Sequence, residues 1–187
     1  MNLFKIKKLF NEYPNLFYRR LVIKKEILIQ ESEISNSVYF VRNGILRLWH
    51  NSDRNDITLQ FFKQNQFVMS FESFYLKKPS KFTLEAIEDS DIIEITRENF
   101  ESITNKEPKI KDLMINYICE RFIDYTNLFL SRIKNSPEQR YIELIKEYPD
   151  IINKIPHYYI ASYLGITPVS FSRIRNRLKI KSNKINY

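Results

Sequence analysis

The sequence predicts an α+β protein: an antiparallel β-barrel of the jelly-roll type, then one long helix, then a helix-turn-helix. Three observations predict it. Between residues 22 and 95, short runs rich in β-branched and aromatic residues alternate with polar clusters, the pattern of a small antiparallel sandwich or barrel rather than of βαβ units. From Pro108 the apolar period changes from two to that of a helix and is sustained to about Ser131. Finally, HYYIASYLGITPVSFSRIRNRL, from His157 to Leu178, reads as helix, tight turn, helix.

Taken in order, Leu3 to Tyr18 mixes Leu9, Phe10, Leu16 and Phe17 with lysines and predicts one or two short helices. The strand runs are Val22-Ile23, Ile27 to Ile29, Val38 to Val41, Ile45 to Trp49, Ile57 to Phe62, Phe82 to Ala86 and Asp91 to Ile95, separated by clusters such as ESEISNS, HNSDRND and KKPSK. The chain has two glycines. Gly44, after Asn43 and between two strand runs, signals a hairpin turn, and Gly165 sits where a turn between helices needs positive φ.

In the long helix Ile110, Leu113, Met114, Tyr117, Ile118, Phe122, Tyr125, Leu128 and Phe129 follow the 3-4 repeat. That apolar face is larger than one small barrel can cover. Self-association along Leu113, Met114, Tyr117, Ile118, Phe122 and Tyr125 is therefore expected, giving a homodimer with a parallel helix pair; the alternative is burial of the whole helix against its own barrel. Ser136-Pro137-Glu138-Gln139 is a helix start, with a serine N-cap, a proline at the first position and a glutamine to complete a capping box. Tyr148-Pro149 ends that helix. In the last helix Phe171, Ile174 and Leu178 define the buried stripe, so Val169, Arg173 and Asn176 point the opposite way. The divisions expected are a barrel over 1–107, a long helix over 108–134 and a helix-turn-helix domain over 135–187.

Charge points the same way. The chain of 187 residues carries +8, and the stretch from Ser131 to Tyr187 holds 11 basic and 4 acidic residues, so the body is nearly neutral and the C-terminal module basic. From Ile151 onwards there are seven basic residues and no Asp or Glu. A solvated surface tolerates acids, whereas a surface facing phosphates excludes them. The one cysteine, Cys119, rules out an internal disulfide framework and fits a reducing cytosol; its expected role is that of a small buried hydrophobe. No apolar run approaches the roughly 20 residues of a membrane span, and the expected location is the cytoplasm. With two histidines, no His-x-x-x-His or Cys-x-x-Cys spacing and no Gly-rich phosphate loop, neither a metal site nor an enzyme is expected.

This order of parts resembles the Crp/Fnr family of bacterial transcription regulators, on VYFVRNGILRLW in the barrel, SPEQRYIELIKEYPDIINKIP leading into the second domain and IASYLGITPVSFSRIRNRL at its end. The resemblance implies a cyclic-nucleotide-binding-like sensor barrel, dimerisation by the long helix, a winged helix-turn-helix on a palindromic double-stranded DNA operator, and RNA polymerase as a further partner. The family's cAMP cassette does not carry over: where its members have Gly-Glu and Arg-Ser, this chain has Met69-Ser70 and Ser80-Lys81. A buried phosphate lacking its bidentate arginine is poorly compensated, so cAMP binding is not expected; no cofactor is assigned, and whether another effector binds is left open. Helix geometry together with the family's pattern makes Val169, Ser170, Arg173 and Asn176 the base-facing set. Thr167, Arg175, Arg177 and Lys179 are assigned to phosphates, and Tyr158 and Tyr159 are expected to add hydroxyls. The rival readings are a ligand-sensing or protein-interaction module without sequence-specific DNA binding, and an RNA-binding protein.

Overall fold

The computed structural model describes residues 9–52, 56–149 and 152–185, with side chains to Leu178. Among the described residues, after a helical stretch over 9–12, eight strands and six α-helices follow one another: β1 (Tyr18–Val22), β2 (Ile27–Ile29), β3 (Ser37–Asn43), β4 (Leu46–His50), β5 (Ile57–Phe62), β6 (Phe67–Val68), α1 (Phe71–Leu76), β7 (Thr83–Ala86), β8 (Ser90–Thr96), α2 (Arg97–Lys106), α3 (Pro108–Lys134), α4 (Pro137–Glu147), α5 (His157–Leu164) and α6 (Pro168–Ile185). A 3₁₀ turn at Pro14–Leu16 precedes β1.

The β-domain is a sandwich of two four-stranded antiparallel sheets, ordered β1-β8-β3-β6 and β2-β7-β4-β5. Val22, Tyr39, Val41, Leu46, Leu48, Phe62, Leu84 and Ile92 from both sheets form the core between them. The expected jelly roll is thus two facing sheets rather than a closed barrel. A second apolar layer, with Val38, Phe74, Ile95 and Ile103 at its centre, joins the outer face of the first sheet to α2 and to the start of α3.

Asn43-Gly44 does not make a hairpin. β3 and β4 lie in different sheets, and Gly44, at φ +101°, carries the chain across the sandwich. A Cβ there would sit 2.8 Å from the Ser90 Cα, so the close approach of two backbones, not a two-residue turn, is what requires glycine. The hairpin partner of β4 is β5. β6, at two residues, and α1, at six, are too short to leave a periodic signal.

α3 begins with Pro108 at its first turn and ends with Arg132 and Lys134 in its last, cations next to the negative end of the helix dipole. Its 27 residues include none that is fully buried. α4 starts with the capping box that its sequence spells, Gln139 N donating to Ser136 Oγ and Ser136 N to Gln139 Oε1. The expected wing is not formed among the described residues: from Lys179 to Ile185 the backbone continues α6. That stretch has no glycine or proline to break the helix.

The two glycines differ in a way stability measurements resolve. Gly165 is left-handed at φ +68° with no atom within 4 Å of an added Cβ, so Gly165→Ala should cost about 1–2 kcal/mol, the left-handed penalty alone. Gly44→Ala adds overpacking against Ser90 to backbone strain and should cost about 3 kcal/mol or more. Urea-denaturation midpoints of the two variants test that order.

Candidate nucleic-acid interface

The helix-turn-helix is built from the inside outward. Ala161, 1% exposed, lets α5 and α6 approach closely, and Ile160, Leu164 and Phe171 fill the space between them. Gly165 ends α5 in the left-handed conformation, with its N–H on Ala161 and Ser162 carbonyls. Thr167 opens α6: Ser170 N donates to Thr167 Oγ1 at 3.2 Å, and that hydroxyl donates to Ser170 Oγ at 3.0 Å. Phe171 packs edge-on to Tyr141 of α4, ring centroids 5.0 Å apart, and Ile174 and Leu178 continue the same inward stripe.

Opposite that stripe lie the expected base-facing residues. Val169 is 62% exposed, Arg173 and Asn176 are exposed and Ser170 is half-buried. They form one polar and basic face with a single apolar member, and the first turn of α6 carries no acidic side chain.

The residues assigned to phosphates are placed differently from one another. The Thr167 hydroxyl is engaged in its own cap. Arg175 is half-buried, its guanidinium against the His157 ring. Arg177 is exposed but ion-paired with Glu138 of α4, a partner 39 positions away in sequence. Lys179 continues α6, its side chain outside the described residues. Of the two tyrosines, Tyr158 is 53% exposed, whereas Tyr159 is buried at 8% and cannot reach a phosphate. Burial and the neighbouring Tyr158 and Glu85 push the Tyr159 hydroxyl well above its ordinary pKa; the ring lies over Arg47 of the β-sandwich.

α3 has two faces. Leu113, Met114 and Tyr117, expected at a dimer interface, instead line a small apolar cavity of about 70 Å³ with Phe17, Val38 and Phe67 of their own chain. Tyr117 Oη donates to the Phe67 carbonyl at 2.7 Å, and burial pushes its pKa up to about 12. Farther along, Ile115, Ile118, Phe122, Tyr125 and Phe129 are 50%, 36%, 72%, 44% and 67% exposed, and Ile118, Phe122 and Tyr125 also line a cleft between the helix and the sandwich. Ile115 and Phe129 join the expected Ile118, Phe122 and Tyr125 in a 3-4-3-4 seam that a heptad count finds in the sequence. Cys119, expected buried, is exposed beside this seam, because one sandwich covers only one side of so long a helix.

At the positions expected to correspond to the family's cassette, Ser70 and Ser80 are 2% and 3% exposed, and their hydroxyl oxygens are hydrogen-bonded at 2.8 Å. Phe82 N also donates to Ser80 Oγ, at 3.1 Å. Lys81 points elsewhere and pairs with Glu72 at 3.0 Å. Beside them an apolar cleft of about 190 Å³, lined by Met69, Phe71, Phe62 and Phe122, separates the sandwich from α3. Its one charged lining residue, Arg121, already donates to Gln60 Oε1 at 2.7 Å and to Asp124 at 3.1 Å.

Among the described residues no helix is long and apolar enough to cross a membrane. Residues 19–107 match the cyclic nucleotide-binding domain family. An anaerobic regulatory protein from Pasteurella multocida is 20% identical over 184 residues, which take in 90% of this chain and 66% of that protein, so the chain spans just under two thirds of the relative's length. Among solved structures, FixK2 from Bradyrhizobium japonicum superposes with a TM-score of 0.78 at 16% identity, covering 89% of this chain and 86% of that one. The c-di-GMP-responsive global regulator CLP from Xanthomonas campestris gives 0.74 at 12% identity, with 94% and 93% covered. A structure from Eubacterium rectale described as a Crp/Fnr-family transcriptional regulator gives 0.71 at 22% identity, with 97% and 85% covered. Residues 19–107, just under half of the chain, thus match the cyclic nucleotide-binding domain family, and the chain as a whole shares the fold of these solved structures.

Proposed function

We propose that this chain is a dimeric transcription regulator of the Crp/Fnr type that binds a palindromic DNA operator through α6 and does so without cAMP. The observation that carries the reading is the outward face of α6, where Val169, Ser170, Arg173 and Asn176 stand opposite the buried Phe171, Ile174 and Leu178, in a C-terminal stretch free of acidic residues. Arg173 has the fork geometry to pair with guanine O6 and N7, and Val169 offers an apolar contact to a thymine methyl. Thr167, Arg175, Arg177, Lys179 and Tyr158 would hold the backbone and set register. The relatives' description as transcriptional and anaerobic regulators supports the same reading, and its setting is the cytoplasm, with RNA polymerase as a further partner. No catalytic role is assigned.

The dimer is argued from α3. Seam residues at 3-4 spacing, largely exposed on the single chain, are those a parallel two-stranded coiled coil buries. Pairing along it would set the two α6 helices side by side, to enter successive major grooves about 34 Å apart. The loss of cAMP binding is argued from the cassette. Two serines bonded to one another present neither a carboxylate to a ribose nor a guanidinium to a phosphate, and the cleft beside them is apolar.

Selection from random duplex DNA, with no ligand added and at near-physiological salt, should return a palindrome. Arg173→Ala should then lose about 1–3 kcal/mol on that palindrome and much less on unrelated DNA. Uniform loss on every sequence would refute a base-reading role, and failure of the wild type to select any site would favour a protein-interaction module. Phe122→Glu, which puts charge in the seam at a position 72% exposed, should turn a dimer into a monomer in sedimentation equilibrium, with cooperative melting as the check that the sandwich beside it stays folded. Titration calorimetry with millimolar cAMP should show no binding heat, and a saturable isotherm would overturn the account of Ser70 and Ser80.

A further inference from the structure

The outer face of the sheet β2-β7-β4-β5 and the helix-turn-helix domain share one hydrophobic core. Ile45, Phe61 and Ile87 of the sandwich, none more than 4% exposed, belong to the same cluster as Leu144, Ile160 and Phe171. At its edge lies a buried charge. Arg47 of β4 is 1% exposed and donates to Glu85 Oε1 and Thr58 Oγ1, both at 2.9 Å. Asp56 stands 3.6 Å from Nη2. The guanidinium lies flat enough on α5 to put its central carbon 3.7 Å from the centroid of the Tyr159 ring. Next along α5, Ser162 Oγ accepts from Thr58 N at 2.8 Å and donates to the Asp56 carbonyl at 2.5 Å.

The far end of α5 is tied as well. Arg132 of α3 donates to the Tyr163 carbonyl at 3.0 Å. Arg140 of α4 donates to Leu164 at 2.7 Å and to Asn135 and Arg132 at 3.0 and 3.2 Å. Two cations thus bridge the carbonyl ends of α3 and α5, the ends at which helix dipoles favour positive charge.

Apolar contact alone lets two surfaces slide, because it is non-directional. A planar guanidinium that is stacked on a ring and forked onto a carboxylate is not free to slide. We infer that Arg47, with Glu85, Tyr159 and Ser162, is the positioning group that holds the helix-turn-helix domain in one orientation on the sandwich, with no ligand present. On the DNA-binding reading, on which only this consequence rests, a dimer would hold its two α6 helices at a fixed separation before meeting DNA.

The test measures the orientation without DNA. Nitroxide labels at Tyr75→Cys and Ser172→Cys, both exposed positions, are placed in the full chain with Cys119→Ser, diluted with unlabelled protein and read by double electron-electron resonance. The parent should give one narrow distance. Arg47→Met with Glu85→Gln removes both charges together, so that neither ion is left buried alone, and Tyr159→Leu removes the stacked ring; each should lose the narrow distance while still melting cooperatively. A broad distance in the parent, or a narrow one kept by a folded variant, overturns the inference. If the double variant does not fold, the parent and Tyr159→Leu decide. A narrow distance in a protein that selects no operator supports the positioning role and counts against the DNA reading alone.

Discussion

The outer face of the second sheet cannot be left to water. It presents Ile45, Phe61 and Ile87 together with Arg47 and Glu85, a cation and an anion already drawn out of solvent. An ion pair at such depth is tolerable only where its remaining hydrogen-bonding capacity is met and its surroundings are packed. Thr58 and the ring of Tyr159 on α5 supply part of that, while Arg47 Nη2, without a hydrogen-bond partner among the described residues, faces Asp56 at 3.6 Å. The later course of the chain is consistent with this demand: α3 leads away from the sandwich, α4 turns back, and α5 is delivered onto the sheet with its C-terminal carbonyls in reach of Arg132 and Arg140.

α3 serves two neighbours at once. Its start is held through Leu113, Met114 and Tyr117 by the β-domain, and its end is tied through Arg132 to α5. Desolvation there lowers the Arg132 pKa from its ordinary value, yet an arginine remains charged over any ordinary pH range, so the tie does not weaken with mild alkali. Between those anchored ends the seam from Ile115 to Phe129 is largely exposed on the single chain.

Local signals in the sequence were readable where the cause was local. Period-two runs fall in six of the eight strands and touch a seventh, β1, only at Val22; Ser136 to Gln139 corresponds to a capping box, and Gly165 to the turn between α5 and α6. What stayed hidden depends on partners far away in sequence. Asn43-Gly44 has the composition of a hairpin, but the backbone of Ser90 decides that it crosses between sheets. Tyr159 has the look of a phosphate contact beside Tyr158, and only Arg47, 112 positions earlier, shows why one of the pair is buried. Arg177 reads as part of a basic face, while Glu138 lies in another helix. The two faces of α3 share one 3-4 repeat, so periodicity alone could not divide them. For the candidate interface, the outward face of α6 was legible from helix geometry, whereas the engagement of its cations was not.

The bond between Ser70 and Ser80 has a consequence for descent. Each hydroxyl is buried, and each completes the other's surroundings. Replacing Ser80 alone by arginine would drive a long cation into space that now holds a small hydroxyl and would strip Ser70 of its partner. Replacing Ser70 alone by glutamate would bury an anion where a small hydroxyl now sits. Both single steps go downhill in stability before any ligand could repay them. A chain that carries this pair is therefore held to it, since neither serine changes alone without a loss of stability.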